Sequence, residues 1–223
     1  MTEFPIEHFL LFIDGHFYDM VSKDLGFGGE KKVSLLFFKD KIADELEKRY
    51  NKTFFCKRIF YYTAPPYQSN PPSEDESRRM SRYDLFKCYI KKHGHQIGEG
   101  RHQIIKKNGQ IIKSGEKAVD AELIMDLIEM PIKYKVKSVV IVTSDTDFVA
   151  PIKRIKNRGV KTFVFSYWKS DGDKFKLSDH LRQNSKAYFK IESGFFKEED
   201  IIADEIKGRE EKNRQKDAGS APK

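Results

Sequence analysis

Phe9-Leu10-Leu11-Phe12-Ile13-Asp14-Gly15 decides the fold class. Five apolar residues run without a polar break and stop at Asp-Gly. A strand with one wet face alternates apolar and polar residues, whereas an unbroken run is what a strand covered on both faces requires. Two more runs share this character. Ser138-Val139-Val140-Ile141-Val142-Thr143 ends at Ser144-Asp145, and Lys161-Thr162-Phe163-Val164-Phe165 follows Gly159. Phe54 to Tyr62, rich in aromatics and ending before Pro65-Pro66, is a weaker fourth candidate.

Helical patterns fall between these runs. Leu35 to Tyr50 spaces Leu35, Phe38, Ile42 and Leu46 along one helical face. Ser77 to Lys92 holds Met80, Leu85, Phe86 and Tyr89 in a similar frame. Val119 to Met130 predicts a third helix, stopped by Pro131. Asp147 to Asn157 predicts a fourth, with Ser144 or Thr146 as its cap and Gly159 as its terminator. Strands alternating with such helices imply βαβ crossovers, hence an α/β fold with a mostly parallel central sheet flanked by helices. Ala64 to Ser77, with four prolines and Glu74-Asp75-Glu76, reads as an exposed loop. Asn108-Gly109, set between Ile104-Ile105 and Ile111-Ile112, signals an added β-hairpin, expected to lie against the main sheet.

A chain of 223 residues suffices for one well-buried domain. We place it at residues 1–193, followed by a charged segment, 194–223, that is expected to be partly disordered. No apolar run approaches the roughly 20 residues that span a bilayer. Met1 to Glu7 carries two acidic residues and no basic one, unlike a signal peptide. The expectation is a cytoplasmic protein with no membrane partner. Cys56 and Cys88 stand alone in the sequence and read as reduced thiols in packed positions. The formal net charge of +8 suits a polyanionic partner without specifying one. Gly26 to Lys32 is glycine-rich but lacks the spacing of a phosphate-binding P-loop, and reads as a flexible loop.

The acidic residues carry the chemistry. Asp14 follows the first strand, and Asp145 and Asp147 follow the strand through Ile141. Open α/β sheets bind ligands outside the carboxyl ends of their strands, where the strand order reverses. If these two strands are neighbours, three carboxylates converge in one crevice. On a helical wheel Asp120 falls on the same face as Leu123, Ile124 and Leu127, a costly place for a charge without compensation. Asp126 falls beside Glu122 and Glu129 and looks solvent-facing. Clustered carboxylates repel one another and raise one another's pKa. Mg²⁺ or Mn²⁺, which prefer oxygen ligands, turn that repulsion into attraction. Singly, Asp14 reads as well as a turn residue, and Asp145 or Asp147 as a helix cap.

At these residues the chain resembles the NYN family, also called LabA-like, of the PIN-like nuclease superfamily. Four segments carry the likeness: Phe9 to Gly15, Ile59 to Pro66, Lys117 to Asp126 with its Lys-Ala-Val-Asp start, and Val139 to Phe165 around Ser144-Asp145-Thr146-Asp147-Phe148. The likeness implies a Rossmann-like PIN fold and a metal-dependent ribonuclease with Asp14, Asp120 and Asp145 as metal ligands. It implies Asp147 as a fourth ligand or as the residue orienting water at the metal, and Lys117 as a contact to phosphate or a counter-charge to the carboxylates. One position departs from the family pattern. His16-Phe17 follows Asp14-Gly15 where an Asn is usual, which bears on catalytic rate more than on fold.

From Lys91 to Lys117 there are seven Lys or Arg residues against two Glu. Arg101, Lys106, Lys107, Lys113 and Lys117 are expected to track an RNA backbone toward the carboxylates, although a solvated charged hairpin has the same composition. Trp168, between Tyr167 and Lys169, would stack an unpaired base or pack in the interior. His93 and His95 have the spacing of a metal pair but lack a third ligand. Two readings follow. The first is a Mg²⁺- or Mn²⁺-dependent endoribonuclease acting on single-stranded or structured RNA, with a homodimer compatible. The other is a non-catalytic module that keeps the fold to bind RNA, a nucleotide or a regulatory partner. A haloacid-dehalogenase-type phosphotransferase needs a second Asp where His16 stands.

Overall fold

In the computed structural model, which describes residues 6–27, 32–107, 110–170 and 175–199 and their side chains except 32, 105–107, 110–114 and 199, the run around Phe12 forms strand β1 (Glu7–Asp14). There follow α1 (Gly15–Asp24), β2 (Lys32–Val33), α2 (Leu35–Tyr50), β3 (Phe54–Thr63), α3 (Glu74–Lys92) and β4 (Gln96–Glu99). A ribbon of β5 (Arg101–Lys107) and β6 (Gln110–Lys117) leads into α4 (Val119–Lys133) and β7 (Ser138–Val142). A 3₁₀ turn (Thr146–Phe148), α5 (Val149–Lys156), β8 (Lys161–Ser166), α6 (Asp179–Asn184), β9 (Ala187–Lys190), a second 3₁₀ turn (Ser193–Phe195) and β10 (Glu198–Glu199) complete the described chain.

Six strands form one sheet in the order β4-β3-β1-β7-β8-β9, with every pairing parallel. The chain steps outward from β1 through β3 to β4, returns beside β1 as β7, and steps the other way to β8 and β9. The order therefore reverses between β1 and β7. Alternate residues of each strand face opposite sides, so each unbroken apolar run feeds two cores. Phe9, Leu11 and Ile13 of β1 pack with Phe17 and Val21 of α1, Phe38, Ile42 and Leu46 of α2, and Phe86 and Ile90 of α3. Leu10 and Phe12 pack with Val119, Leu123 and Leu127 of α4, Ile152 and Ile155 of α5, and Leu181 of α6. Phe12 stacks on Phe60 with ring centroids 5.0 Å apart. Each such side chain, wholly removed from water, stabilises the fold by roughly 1.5–3 kcal/mol. Among the described residues, no helix is long and apolar enough to cross a membrane.

The α/β class, the parallel sheet and its flanking helices are as the sequence implies, and helix α2 keeps its expected bounds and buried face. Several boundaries differ. Helix α3 begins at Glu74, inside the stretch expected to be loop. The Ser73 hydroxyl accepts the Glu76 amide while a Glu76 carboxylate oxygen accepts the Ser73 amide. Glu74, Asp75 and Glu76 thus sit in a first turn, where the helix dipole favours negative charge. Helix α4 does not stop at Pro131 but runs through it to Lys133. So close to the end, the ring forfeits one amide bond and fills a buried position. Helix α5 starts only at Val149, after the 3₁₀ turn, whose cap is Asp145 rather than Ser144 or Thr146.

Helices α1 and α6 and strands β4 and β9 have no counterpart in the periodicity analysis, being short or opening on glycine. The ribbon is present, but it pairs only with itself, as a separate two-stranded sheet; its Asn108-Gly109 tip lies outside the described residues. Cys56 is buried, but Cys88 is exposed on α3 rather than packed. Beyond residue 193, Phe195 and Phe196 lie in the core beside Phe38, and β10 pairs antiparallel with β2. The remainder of the charged segment, 200–223, lies outside the described residues, as do residues 28–31 of the expected glycine-rich loop.

Candidate functional site

The reversal of strand order puts the carboxyl ends of β1 and β7 side by side, as the convergence of Asp14 and Asp145 required. Asp14, last residue of β1, is half-buried and caps α1: its Oδ1 accepts the Phe17 amide at 3.0 Å. Gly15 beside it has no room for a side chain, because a Cβ there would lie 2.5 Å from the Tyr62 carbonyl oxygen. This close approach lets β1 turn directly into α1 under the end of β3.

Thr143, fully buried just past β7, joins the two ends. Its hydroxyl donates to Asp14 Oδ2 at 3.3 Å and accepts the Asp145 amide at 3.1 Å. Asp145, half-buried, accepts the Asp147 amide on Oδ1 at 2.8 Å, while Asp147 itself is exposed. Asp120 arrives from the other side, in the first turn of α4. The residue before that helix, Ala118, is left-handed at φ 67° and has no side-chain cap. A non-glycine residue held there costs on the order of 1 kcal/mol, strain that tends to collect at functional sites. Solvent reaches Asp120. The helical wheel placed it on the apolar stripe, but at the helix end that stripe opens onto the crevice instead of the core.

The carboxyl groups feel one another. The Asp14 pKa is raised to about 6, by burial first and further by the charge of Asp120, against the Phe17 amide, the Thr143 hydroxyl and His16. The Asp120 pKa is raised by burial, then by Asp145 and Asp147, with His16 opposing. All four sequence-predicted acids therefore belong to one electrostatic cluster. Glu116 of β6 shares the His16 neighbour with Asp14 and Asp120: burial raises its pKa, and His16 and His102 oppose the rise. Neither Glu116 nor Thr143 was singled out from the sequence. Thr143 was detectable as the polar residue ending an apolar strand, whereas nothing in the pattern marks Glu116.

The donors are carboxylate oxygens, the ligands that Mg²⁺ and Mn²⁺ take, and the raised pKa values of Asp14 and Asp120 are what a cation would relieve. In chemistry the set fits a divalent ion. As it stands it is not closed around one: among the described residues, no three His, Cys, Asp or Glu side chains are arranged to hold a metal ion. Asp14 and Asp145 each commit an oxygen to a helix amide instead.

Other expectations fare variously. Asp126 is not a solvated charge; Tyr62, from the end of β3, donates its hydroxyl to Asp126 Oδ2 at 2.7 Å, a contact that a wheel drawn about one helix axis cannot show. His95 Nδ1 accepts the Ile59 amide at 3.4 Å, and His93 packs on Tyr89, so both have structural roles. Arg101 and Lys117 are exposed and directly opposite each other at the base of the ribbon. Lys106, Lys107 and Lys113 lie on its strands, their side chains outside the described set. Trp168 is half-buried past β8, its ring 5.5 Å from Tyr188.

Comparison with known proteins agrees with this architecture. A crystal structure of a protein of unknown function from Vibrio parahaemolyticus superposes with a TM-score of 0.52 at 15% identity, over 88% of this chain and 99% of that one. At that identity the match speaks for the fold alone. Acinetobacter baumannii MurG, at a TM-score of 0.35, 13% identity, 82% of this chain and 41% of that one, is too distant to argue from. No curated protein matches the sequence. The NYN domain family matches residues 9–192, and with it come the PIN-like nucleases, generally ribonucleases that use divalent metals. A match over this span, on a parallel sheet with acids at its reversal point, makes the chain a member of the NYN domain family.

Proposed function

We propose that this NYN domain, of the LabA-like type its motifs resemble, is a cytoplasmic Mg²⁺- or Mn²⁺-dependent endoribonuclease that cuts single-stranded or structured RNA at the carboxylate cluster. The observation that carries the reading is the Asp14 carboxyl, raised to about 6 by burial and Asp120 and tied through Thr143 to the Asp145 turn. Folding has gathered charges that destabilise one another, and a ligand of opposite charge accounts for that arrangement.

Asp14, Asp120 and Asp145 would hold the ion, and Asp147, reached by solvent, would hold the attacking water by hydrogen bond. A divalent ion bound there supplies a lowered water pKa and stabilises charge on the phosphoryl oxygens. Water oxygen bonds to phosphorus as it releases a proton to solvent, the ester P–O bond breaks, and the departing oxygen takes up a proton from solvent. Arg101 and Lys117 face each other across the ribbon, a repulsive pairing that an RNA phosphate between them relieves. Lys106, Lys107 and Lys113 would continue that basic track.

A non-catalytic RNA-binding module is the second reading. It is favoured by the caps, which engage Asp14 and Asp145 with amides rather than leaving both oxygens free. Labelled RNA incubated with Mn²⁺ separates the two. The nuclease cuts, and Asp145→Asn loses more than the roughly 10–100-fold that follows removal of a ligand's supporting partner. Binding without metal-dependent cutting supports the module, and equal cutting by Asp145→Asn overturns the proposal.

A further inference from the structure

The same carboxyl edge of the sheet holds a cavity of about 690 Å³ between the end of α1 and the segments leaving β8 and β9. Its volume falls in the range of about 300–1,000 Å³ usual for small-molecule sites. Trp168 forms one wall, backed by Tyr188 at 5.5 Å, with the Lys190 ammonium 5.5 Å over its ring. The segment that bears Trp168 is fixed. Tyr167 donates its hydroxyl to Asp24 at 2.7 Å, and Lys169 reaches both oxygens of the same carboxylate at 2.7 and 2.9 Å, fastening this segment to the last turn of α1.

We infer that this cavity is a base-binding subsite, in which an unpaired RNA base, preferably a purine, stacks on Trp168. That an RNA strand is the ligand rests on the ribonuclease reading; that a flat aromatic group fits here does not. Charge decides between base and phosphate. Lys169 is neutralised by Asp24, and Lys190 shares the rim with Glu192. A phosphate gains little from so balanced a site. A neutral ring with polar edges gains the indole face and hydrogen-bonding groups around it. Lys190, a long exposed side chain, holds its ammonium 5.5 Å over the indole ring, and a base stacked on Trp168 would share that face with it. Position agrees. Strand β8 neighbours β7, and β9 is one further out, so the cavity opens at the same carboxyl ends as the Asp145 turn, on the β8 and β9 side. Helix α1 runs from its cap Asp14 to Leu25 in the cavity wall, and its ten residues span about 15 Å. A strand with one linkage at the carboxylates would present a base a few nucleotides away there.

Trp168 is the chain's single tryptophan, so its emission reports on this cavity alone. The full chain in EDTA, where no metal-dependent cutting occurs, is titrated with hexa-adenylate and hexa-uridylate RNA. Saturable quenching is expected, tighter for adenylate. Lys190→Ala should weaken it about fivefold or more, whereas Lys186→Ala, at the opposite edge of the sheet, should not. In the cleavage assay with Mn²⁺, Trp168→Ala should raise KM about tenfold, in keeping with the loss of one base stack, and leave kcat within twofold. Absent quenching, or equal weakening by both lysine variants, overturns the subsite. Quenching with no cleavage leaves the pocket standing and removes the nuclease. Cleavage with KM unchanged in both Trp168→Ala and Lys190→Ala removes the pocket and leaves the nuclease.

Discussion

Strand β1 carries an acid near each end, and the two are treated in opposite ways. At the amino end, burial alone would push the Glu7 pKa up, but the Ser138 hydroxyl and Lys161, 2.9 Å away, more than offset it and the net shift is downward. At the carboxyl end, burial and Asp120 push Asp14 up to about 6 despite an amide and a hydroxyl bonded to it. Both acids stand on the same strand, beside the same neighbour β7. The protein supplies a cation where an acid merely holds the sheet together and withholds one where Asp14 meets Asp120 and Asp145. An edge that is stable by itself needs no ligand; the other edge is the one the proposed ion would complete.

The largest expected effect tests that contrast directly. Asp14→Asn should lower Mn²⁺-dependent RNA cleavage by more than about 100-fold, measured as initial rates on labelled RNA. A loss under about threefold would reduce Asp14 to a helix cap. Next, an ion that binds only the folded cluster stabilises it. Mn²⁺ at 100 times its dissociation constant should add about 2.7 kcal/mol, or roughly 5–10 °C in the melting midpoint of a domain this size. Asp14→Asn and Asp145→Asn should each lose most of that rise, while Glu7→Gln should keep it.

The third prediction concerns the metal-free protein. Asp14 has a folded pKa near 6 against an ordinary 3.8, so its protonated form is the one folding favours. Its favourable share is complete below the ordinary value and is lost as pH rises through the folded one. Asp14→Asn, which still caps α1 but carries no charge, should therefore be more stable than wild type at pH 7 by about 1–2 kcal/mol in EDTA, after allowance for solvent at the crevice rim. The difference should close as pH falls from 7 toward 4, as read from urea midpoints. Glu7→Gln should behave inversely and more weakly. With its folded pKa below the ordinary 4.5, Glu7 stabilises the chain above that value and ceases to as pH falls through the lower one. The substitution should cost about 1 kcal/mol at pH 7 and nothing in strong acid.

Much of the framework was legible in the order of residues. The unbroken runs at Phe9, Val139 and Phe163 became adjacent parallel strands, and the spacing of Leu35, Phe38, Ile42 and Leu46 became the buried face of α2. One misreading has a clear cause. Asp126 is ranked by angle about its own helix, yet the group that matters to it, the Tyr62 hydroxyl, comes from a distant strand. The helix at Gly15 was hidden because its start depends on an Asp14 cap and on a glycine squeezed under Tyr62. The acidic triplet at Glu74 looked like loop because its prolines and charges precede a capping box that only the backbone turn completes.

By itself, the sequence determined which segments are strands covered on both faces, which helices have one apolar stripe, and that acids follow two of the strands. Those are consequences of local geometry, since side chains repeat every two residues in a strand and every 3.6 in a helix. Only the tertiary structure decided that β1 and β7 are neighbours at the reversal of the sheet, that Thr143 ties Asp14 to the Asp145 turn, and that Asp120 closes on them from α4. Charge acts through space with a strength set by distance and burial, and neither quantity exists along the chain until residues far apart in number are packed together.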